Sequence, residues 1–282
     1  MTKLVTVQMT NGFGNNIFQY TAARQLADHL GCSVVAIPPT TDYYAIDDLG
    51  RMGISIGSAN RHHITSDTYQ VTENNYIKTF DNPPPSDHIH LAGYFEDYRF
   101  YINNVDTIRS WFPRPPSRDD NALVLHMRTG DRLFMKNEFY SKPRVENYVE
   151  VIKQFEFDEF HIVTDMPHWR AITSTELETI KFHVHTPSEK RVPIEESVTY
   201  FNELVEGLAP FDPQVAQRTV GEDFNFIRSF ENILFEHGTL SWWAAVLSDA
   251  KKVGVYGPWR PWKGASNKNL SQIPLEGWFK WE

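Results

Sequence analysis

Short apolar runs alternate with longer amphipathic segments along much of this chain. The first run, Leu4–Met9, is followed by a turn and then by helical spacing from about residue 17 to 30, and a second run, "CSVVAI", ends at Pro38. Apolar runs of this length predict buried strands, and the interval between them predicts a crossover helix that stops at Gly31. The chain is therefore expected to open with a β-α-β unit.

The second half of the chain repeats this rhythm. Its apolar runs are Ala122–Leu125, Phe160–Val163, Phe182–Val184, Ile233–Phe235 and Val253–Tyr256. Helical spacing occupies intervals between them, notably 146–155 and 224–230. Alternating strands and helices predict a parallel sheet with helices on both faces. The region from 40 to 90 is only weakly patterned.

Length and a proline-rich segment together predict two domains. A chain of 282 residues favours two compact domains. The segment "PRPPSRDD", residues 113–120, interrupts both periodicities and is the best candidate for a linker. We predict an N-terminal Rossmann-like domain over residues 1–115 and a C-terminal one over residues 116–282.

Composition excludes several classes of function. The formal net charge of -9 argues against general binding to nucleic acid or to an anionic membrane. No apolar run approaches the roughly 20 residues that a bilayer span needs, and the first residues lack the long apolar region of a signal peptide. A single cysteine, Cys32, excludes a disulfide framework and a cysteine-based zinc site. A cytoplasmic location is expected.

Polar residues follow the predicted strands at the positions where a nucleotide pocket would form. Ligands of parallel α/β sheets bind beyond the carboxyl ends of the strands. The residues found there are His126 and Arg128 after one run, Thr164 and Asp165 after the next, and Thr239 and Ser241 after "ILF".

Arg128 is the strongest candidate for binding a phosphate. A guanidinium presents a rigid fork of donors that matches phosphate oxygens. His126 would share its strand face, and Asp131 could orient Arg128 or accept a hydrogen bond from a hydroxyl. The alternative is an ordinary loop salt bridge between Arg128 and Asp131.

The segment "FEHGTLSWWAAVLS", residues 235–248, predicts a second part of the same site. A strand is followed by Gly238 and by a helix that begins near Trp242, with Ser241 as its N-cap. Such a helix N-terminus is a ready anion site, to which the hydroxyl of Thr239 could add. Alternatively, Ser241 is only a cap and the tryptophans are core residues, which is the interpretation we favour for Trp243.

The turn "TNGFGNNIFQY", residues 10–20, contains Gly12 and Gly14 between a strand and a helix. Ile17 replaces the third glycine of the dinucleotide fingerprint, and no acidic residue ends the second strand, so we reject a nicotinamide cofactor. The loop would still allow a ligand to approach the backbone closely, and Asn15 could reach it. No metal is predicted, because Asp-x-Asp is missing and the "HIH" and "HVH" pairs are weak signals.

These motifs resemble those of the α-1,2-fucosyltransferases and of the wider superfamily that includes the α-1,6 and protein O-fucosyltransferases. Segments similar to the family's blocks occur in the family's order and span nearly the whole chain: "NGFGNNIFQYTAARQLA", "LAGYFEDYRFY", "HMRTGD", "FHIVTD" and "GTLSWWAAVLS". The resemblance implies a GT-B fold, in which two Rossmann-like domains face a cleft. It also implies inverting, metal-independent transfer of fucose from GDP-fucose to a hydroxyl, O-2, of a glycan acceptor.

The same resemblance assigns roles to residues of this chain. The diphosphate-binding arginine falls on Arg128 and the neighbouring histidine on His126. The guanine-contacting acid falls on Asp223, and the remaining donor contacts fall on Asn15, Thr239 and Ser241. The N-terminal domain would hold the acceptor and the C-terminal domain the donor.

Some positions depart from the family's pattern and leave alternatives open. Thr129 stands where the signature has its second arginine, and Glu96 stands where the family has a glutamine. The same fold could therefore transfer another sugar, such as xylose or rhamnose, from UDP or another nucleotide. A non-catalytic glycan-binding protein on this scaffold is a further alternative. The general base stays open among Asp131, Glu138 and Glu96.

Overall fold

The computed structural model describes residues 3–10, 12–38, 49–50, 52–58, 64–114, 118, 121–129, 143–164, 194–215, 218–236, 238–256 and 275–281. Two compact units make up the chain, Met1–Arg114 and Pro115–Glu282. The predicted run Phe182–Val184 and the "HVH" pair lie outside the described residues. None of the helices in the described ranges has both the length and the apolar character that a membrane span requires.

The N-terminal unit is built on a parallel five-stranded sheet in the order β3-β2-β1-β5-β4. Its strands are β1 Leu4–Gln8, β2 Ser33–Ile37, β3 Gly57–Ser58, β4 Tyr69–Val71 and β5 His88–Leu91. Its helices are α1 Phe13–Leu30, α2 Tyr76–Asp81 and α3 Val105–Trp111. The opening β-α-β unit is confirmed, because β1 and β2 pair in parallel on either side of α1 in the chain.

Helix α1 begins four residues earlier than its apolar spacing predicts. Gly12 is its N-cap, with a φ of 96° that favours glycine, and the carbonyl of Gly12 accepts a hydrogen bond of 3.1 Å from the Asn16 amide. Gly14 and Asn15 therefore lie in the first helical turn and not in a loop. Glycine and asparagine are weak helix formers, which hid this turn from the pattern. The predicted stop at Gly31 is confirmed by its left-handed conformation.

The C-terminal unit is built on a parallel six-stranded sheet in the order β11-β10-β9-β6-β7-β8. Its strands are β6 Ala122–Met127, β7 Glu159–Thr164, β8 Gln214–Val215, β9 Asn232–Phe235, β10 Lys252–Tyr256 and β11 Trp278–Trp281. Its helices are α4 Val145–Ile152, α5 Ile194–Gly207, α6 Val220–Arg228 and α7 Thr239–Val246. The order starts at β6, moves outward to β7 and β8, and then crosses to β9, which is the doubly wound Rossmann arrangement. The prediction of an α/β chain with two Rossmann-like domains is confirmed.

The two faces of the C-terminal sheet carry different helices. Leu123, Leu125 and Met127 of β6 pack in one apolar cluster with residues of α4 and α5. Because side chains alternate along a strand, Val124 and His126 point to the opposite face. Helix α7 contacts β9 and α6, and Trp243 is fully buried in it, as predicted for a core residue.

Strand β5, "HIHL", was hidden from the pattern by its histidines. His90 is buried, and the Thr6 hydroxyl lies 3.0 Å from His90 Nδ1 and 3.0 Å from His88 Nε2. Both rings are therefore hydrogen-bonded within the sheet, on the face they share with Thr6. Over the described part of the chain, no cluster of three or more His, Cys, Asp or Glu residues could hold a metal ion.

Candidate functional site

The candidate site lies where the strand order of the C-terminal sheet reverses direction, between β6 and β9. These strands are neighbours, and His126 pairs in register with Phe235. The chain leaves β6 toward β7 on one side and leaves β9 toward β10 on the other. Loops that diverge in this way open a crevice at the carboxyl edge of the sheet, which is the usual ligand position in such folds.

His126 joins the two strand ends through a hydrogen bond to Ser241. Strand β6 continues through His126 and Met127, beyond the predicted end at Leu125, and His126 is 6% exposed. His126 Nδ1 is hydrogen-bonded to the hydroxyl of the fully buried Ser241. Burial, and then the positive charge of Arg128, lower the pKa of His126 from 6.5 to about 3. The imidazole is therefore neutral at neutral pH.

Ser241 is not the N-cap of α7, so that prediction was wrong. The helix begins at Thr239, and Gly238 is the N-cap with a φ of 152°. The Trp242 amide donates to the carbonyl of Gly238 at 3.1 Å, which fixes the first helical turn. Ser241 lies in that turn and directs its hydroxyl to His126. Because Gly238 has no side chain, it cannot cap the first-turn N–H groups.

Arg128 lies against the N-terminus of α7. A Cβ atom built on Gly238 would be 3.5 Å from Arg128 Cδ, 3.7 Å from Arg128 Nη1 and 3.5 Å from the Ser241 hydroxyl. The guanidinium is thus placed beside a helix end that itself carries partial positive charge. Two positive groups in one crevice attract an anion, and the guanidinium and the helix end can both donate to phosphate oxygens.

Two further predicted donor contacts lie on helices of the same unit. Thr239 is the first residue of α7 and is 8% exposed. Asp223 lies in the first turn of α6, and its Oδ1 is 3.7 Å from Arg218 Nη1. The Arg218 guanidinium also stacks on Phe226, 3.6 Å from the ring centroid. The structure thus brings His126, Arg128 and Ser241 together and pairs Asp223 with a cation.

The other predicted site residues are placed as follows. Gly12, Gly14 and Asn15 belong to the N-terminal unit, where a Cβ on Gly12 would lie 3.7 Å from Asn15 Nδ2. The neighbouring Asn16 is the buried one, and its Nδ2 donates to the Thr10 carbonyl at 2.8 Å. Asp131, Asp165 and Glu138 lie outside the described residues.

Thr129, the departure from the family signature, is buried in this loop. Its hydroxyl is 2.5 Å from the Thr164 hydroxyl, so it ties the end of β6 to the end of β7. Its side chain is 1% exposed. An arginine could not occupy this space without displacing that contact, and Arg128 therefore supplies the guanidinium of this dipeptide.

Glu236 is a site neighbour that the sequence interpretation missed. It directly follows β9, two residues before Gly238, and it is 6% exposed. Its carboxylate accepts a hydrogen bond from the Tyr148 hydroxyl of α4. Burial, and then the negative charge of Glu236, raise the pKa of Tyr148 well above its ordinary value. This bond anchors the β9–α7 loop on the α4 face of the sheet, and an acid directly after an apolar run was its only sequence signal.

Replacement of Tyr148 by phenylalanine is expected to lower the free energy of unfolding by about 1–3 kcal/mol, because a buried carboxylate loses a donor. Chemical denaturation measures the change. Tyr69→Phe is the matched control, since Tyr69 is 39% exposed on a strand of the other unit. Equal stability of Tyr148→Phe and the parent protein would show that this bond does not hold the loop.

No protein-family model and no curated protein sequence matches this chain. Among solved structures, the fucosyltransferase NodZ from Bradyrhizobium is similar at 8% identity and a TM-score of 0.45, over 90% of this chain and 95% of that one. The dodecameric iron-containing heptosyltransferase TibC in complex with ADP-D-β-D-heptose is similar at 8% identity and a TM-score of 0.44, over 93% of this chain. This chain covers 61% of that TibC chain. A second TibC structure, from enterotoxigenic E. coli H10407, gives 10% identity and a TM-score of 0.41, with 98% and 68% covered.

Proposed function

We propose that this protein is a glycosyltransferase that moves fucose from GDP-fucose to a hydroxyl, O-2, of a glycan acceptor. The observation that carries the proposal is the position of Arg128 over the N-terminus of α7, beside the neutral His126, at the carboxyl edge of a Rossmann-like sheet. A site of this kind suits the diphosphate of a nucleotide sugar. The motif resemblance supports fucose as the sugar and guanine as the base.

The proposed reaction requires stabilisation of a departing diphosphate. As the bond between the sugar's anomeric carbon and the phosphate oxygen breaks, the sugar becomes oxocarbenium-like and negative charge builds on the diphosphate. Arg128 and the first-turn amides of α7 are aimed at that charge, so the proposal includes no metal ion. The acceptor oxygen attacks from the opposite face of the sugar, which inverts the anomeric configuration, and its proton passes to a base.

The donor and the acceptor are assigned to different units. We assign GDP-fucose to the C-terminal unit, with Asp223 accepting from the N–H groups of guanine and with Thr239 and Asp165 near the donor. His126 is assigned a positioning role, since its Nδ1 is already engaged with Ser241. The acceptor is assigned to the N-terminal unit, whose Gly12–Asn15 turn would reach toward the donor phosphates.

The buried position of Thr129 favours a second candidate within the same reaction class. A donor loop with Arg128 as its guanidinium suits a nucleotide sugar other than GDP-fucose as well, such as a UDP-linked xylose or rhamnose. The base and sugar would then be read by other residues, while the diphosphate contacts stayed the same.

Calorimetric titration with GDP, UDP and dTDP tests the proposal. Selective binding of GDP, followed by release of GDP from GDP-fucose when glycan acceptors are added, is the expected result. Preference for UDP or dTDP would replace fucose by the second candidate. Glycan binding without affinity for any nucleotide would overturn the enzyme assignment in favour of a glycan-binding protein.

A further inference from the structure

The N-terminal sheet has a reversal point of its own, between β1 and β5. The chain moves from β1 outward to β2 and β3, and β5 then lies on the other side of β1. We propose that the loop 92–97, which follows β5 at this point, is a saccharide-binding subsite in which Tyr94 stacks on a sugar ring and Glu96 accepts hydrogen bonds from its hydroxyls. The inference rests on the proposed function, in which this subsite would hold the acceptor.

A buried glutamine fixes this loop beside the loop that follows β1. Gln19 of α1 is fully buried, and its Nε2 donates to the Gly93 carbonyl at 2.9 Å. Its Oε1 accepts from the Thr10 amide at 3.1 Å. One side chain thus holds the carboxyl-end loops of both β1 and β5, so the two loops form one preorganised edge.

Glu73 fixes the backbone that presents Tyr94. Its Oε1 accepts hydrogen bonds from the amides of Tyr94 at 2.7 Å and of Phe95 at 3.0 Å. Gly93 permits this approach, because a Cβ there would lie 2.7 Å from the carboxylate oxygens. Phe95 adopts a φ of 55°, which is unfavourable for a bulky residue, and its ring is fully buried.

The result of this backbone conformation is an exposed ring next to a carboxylate. Tyr94 is 38% exposed, whereas Glu96 is 9% exposed. The Tyr94 pKa is raised by partial burial and then by the negative charges of Glu96 and Glu73, which places the Glu96 carboxylate near the phenol. The neighbouring acid Asp97 is already engaged, because its two carboxylate oxygens lie 2.9 and 3.0 Å from Arg99 Nε.

This combination matches the surface of a neutral pyranose. A sugar ring has an apolar C–H face that packs on an aromatic ring, and its edge carries hydroxyls that donate to a carboxylate. The negative charges of Glu96 and Glu73 disfavour a phosphate or another anion at this edge. A neutral saccharide therefore fits better than a second nucleotide.

Saturation-transfer NMR on the full chain tests the subsite. The probes are the methyl β-pyranosides of galactose, glucose, N-acetylglucosamine and xylose, each with and without GDP. We expect transfer to the ring protons of at least one pyranoside. We expect Tyr94→Ala to lower its affinity roughly tenfold, the scale of one aromatic contact, and Tyr94→Phe to retain it. Tyr69→Ala removes an equally exposed tyrosine from strand β4 and should bind as the parent does.

Other outcomes separate this inference from the proposed function. Absence of transfer to every pyranoside, or equal affinity of Tyr94→Ala and the parent protein, would overturn the subsite. Glu96→Gln keeps the size of the side chain and is expected to weaken the same pyranoside, which provides a second test if Tyr94→Ala does not fold. Titration with GDP reports on Arg128 separately, so a parent protein that binds a pyranoside but no nucleotide would contradict the proposed function alone.

Discussion

The Arg128→Ala variant is expected to raise the barrier to sugar transfer by about 2.7–4 kcal/mol, a slowing of about 100- to 1,000-fold, because one preorganised donor to the departing diphosphate is lost. Arg128 Nη1 would lie 3.7 Å from a Cβ on Gly238, so the guanidinium and the α7 N-terminus face the same anion. The loss should appear both in kcat with GDP-fucose and in the affinity for GDP.

Arg128→Lys and Lys251→Ala are the matched variants for this experiment. Lysine keeps the charge but not the fork of donors, so Arg128→Lys should fall between the parent protein and Arg128→Ala. Lys251 is exposed just before β10, at the amino edge of the same sheet, where it pairs with Glu231 at 2.7 Å. Its removal should leave transfer unchanged. Equal rates for Arg128→Ala and Lys251→Ala would remove Arg128 from the mechanism.

A titration of His126 provides a readout of the same contact that does not depend on turnover. The positive charge of Arg128 is the second cause, after burial, of the low pKa of His126. Arg128→Ala should therefore raise that pKa, which NMR of the imidazole protons can follow. An unchanged pKa together with lost activity would indicate that Arg128 acts on substrate without lying close to His126.

The parts of the site that follow from strand order could be predicted from the sequence. His126 and Arg128 follow one apolar run and Ser241 follows another, and parallel strands bring such residues to one edge. The structure places β6 beside β9, so the residues after these two runs meet. The prediction needed only the alternation of runs and helices, which buried strands impose strongly.

The parts that depend on local backbone conformation could not be predicted. Ser241 has the composition of a cap, but the φ of 152° at Gly238 starts the helix two residues earlier and turns the serine toward His126. Glu236 is acidic and follows a strand, yet its partner Tyr148 lies 88 positions away in the sequence. Tertiary contacts of this kind leave no periodic signal.

Acidification from pH 7 to pH 4.5 is expected to lower the free energy of unfolding by about 2.5 kcal/mol through His126 alone. In the folded protein the His126 pKa is about 3, while its ordinary value is 6.5. Between these values the unfolded chain binds a proton that the folded chain does not. The stabilisation is therefore complete above pH 6.5 and is lost progressively as the pH falls toward 3.

The effect must be isolated from other titrating groups. Burial also lowers the pKa of His161, which acts in the same direction, so the measured quantity is the difference between the parent protein and His126→Gln. Glutamine can still bond the Ser241 hydroxyl but does not titrate. Chemical denaturation across this pH range should give a shallower profile for the variant. Parallel profiles would mean that His126 is solvated or already charged in the folded state, and the neutral imidazole beside Arg128 would then have no place in the donor site.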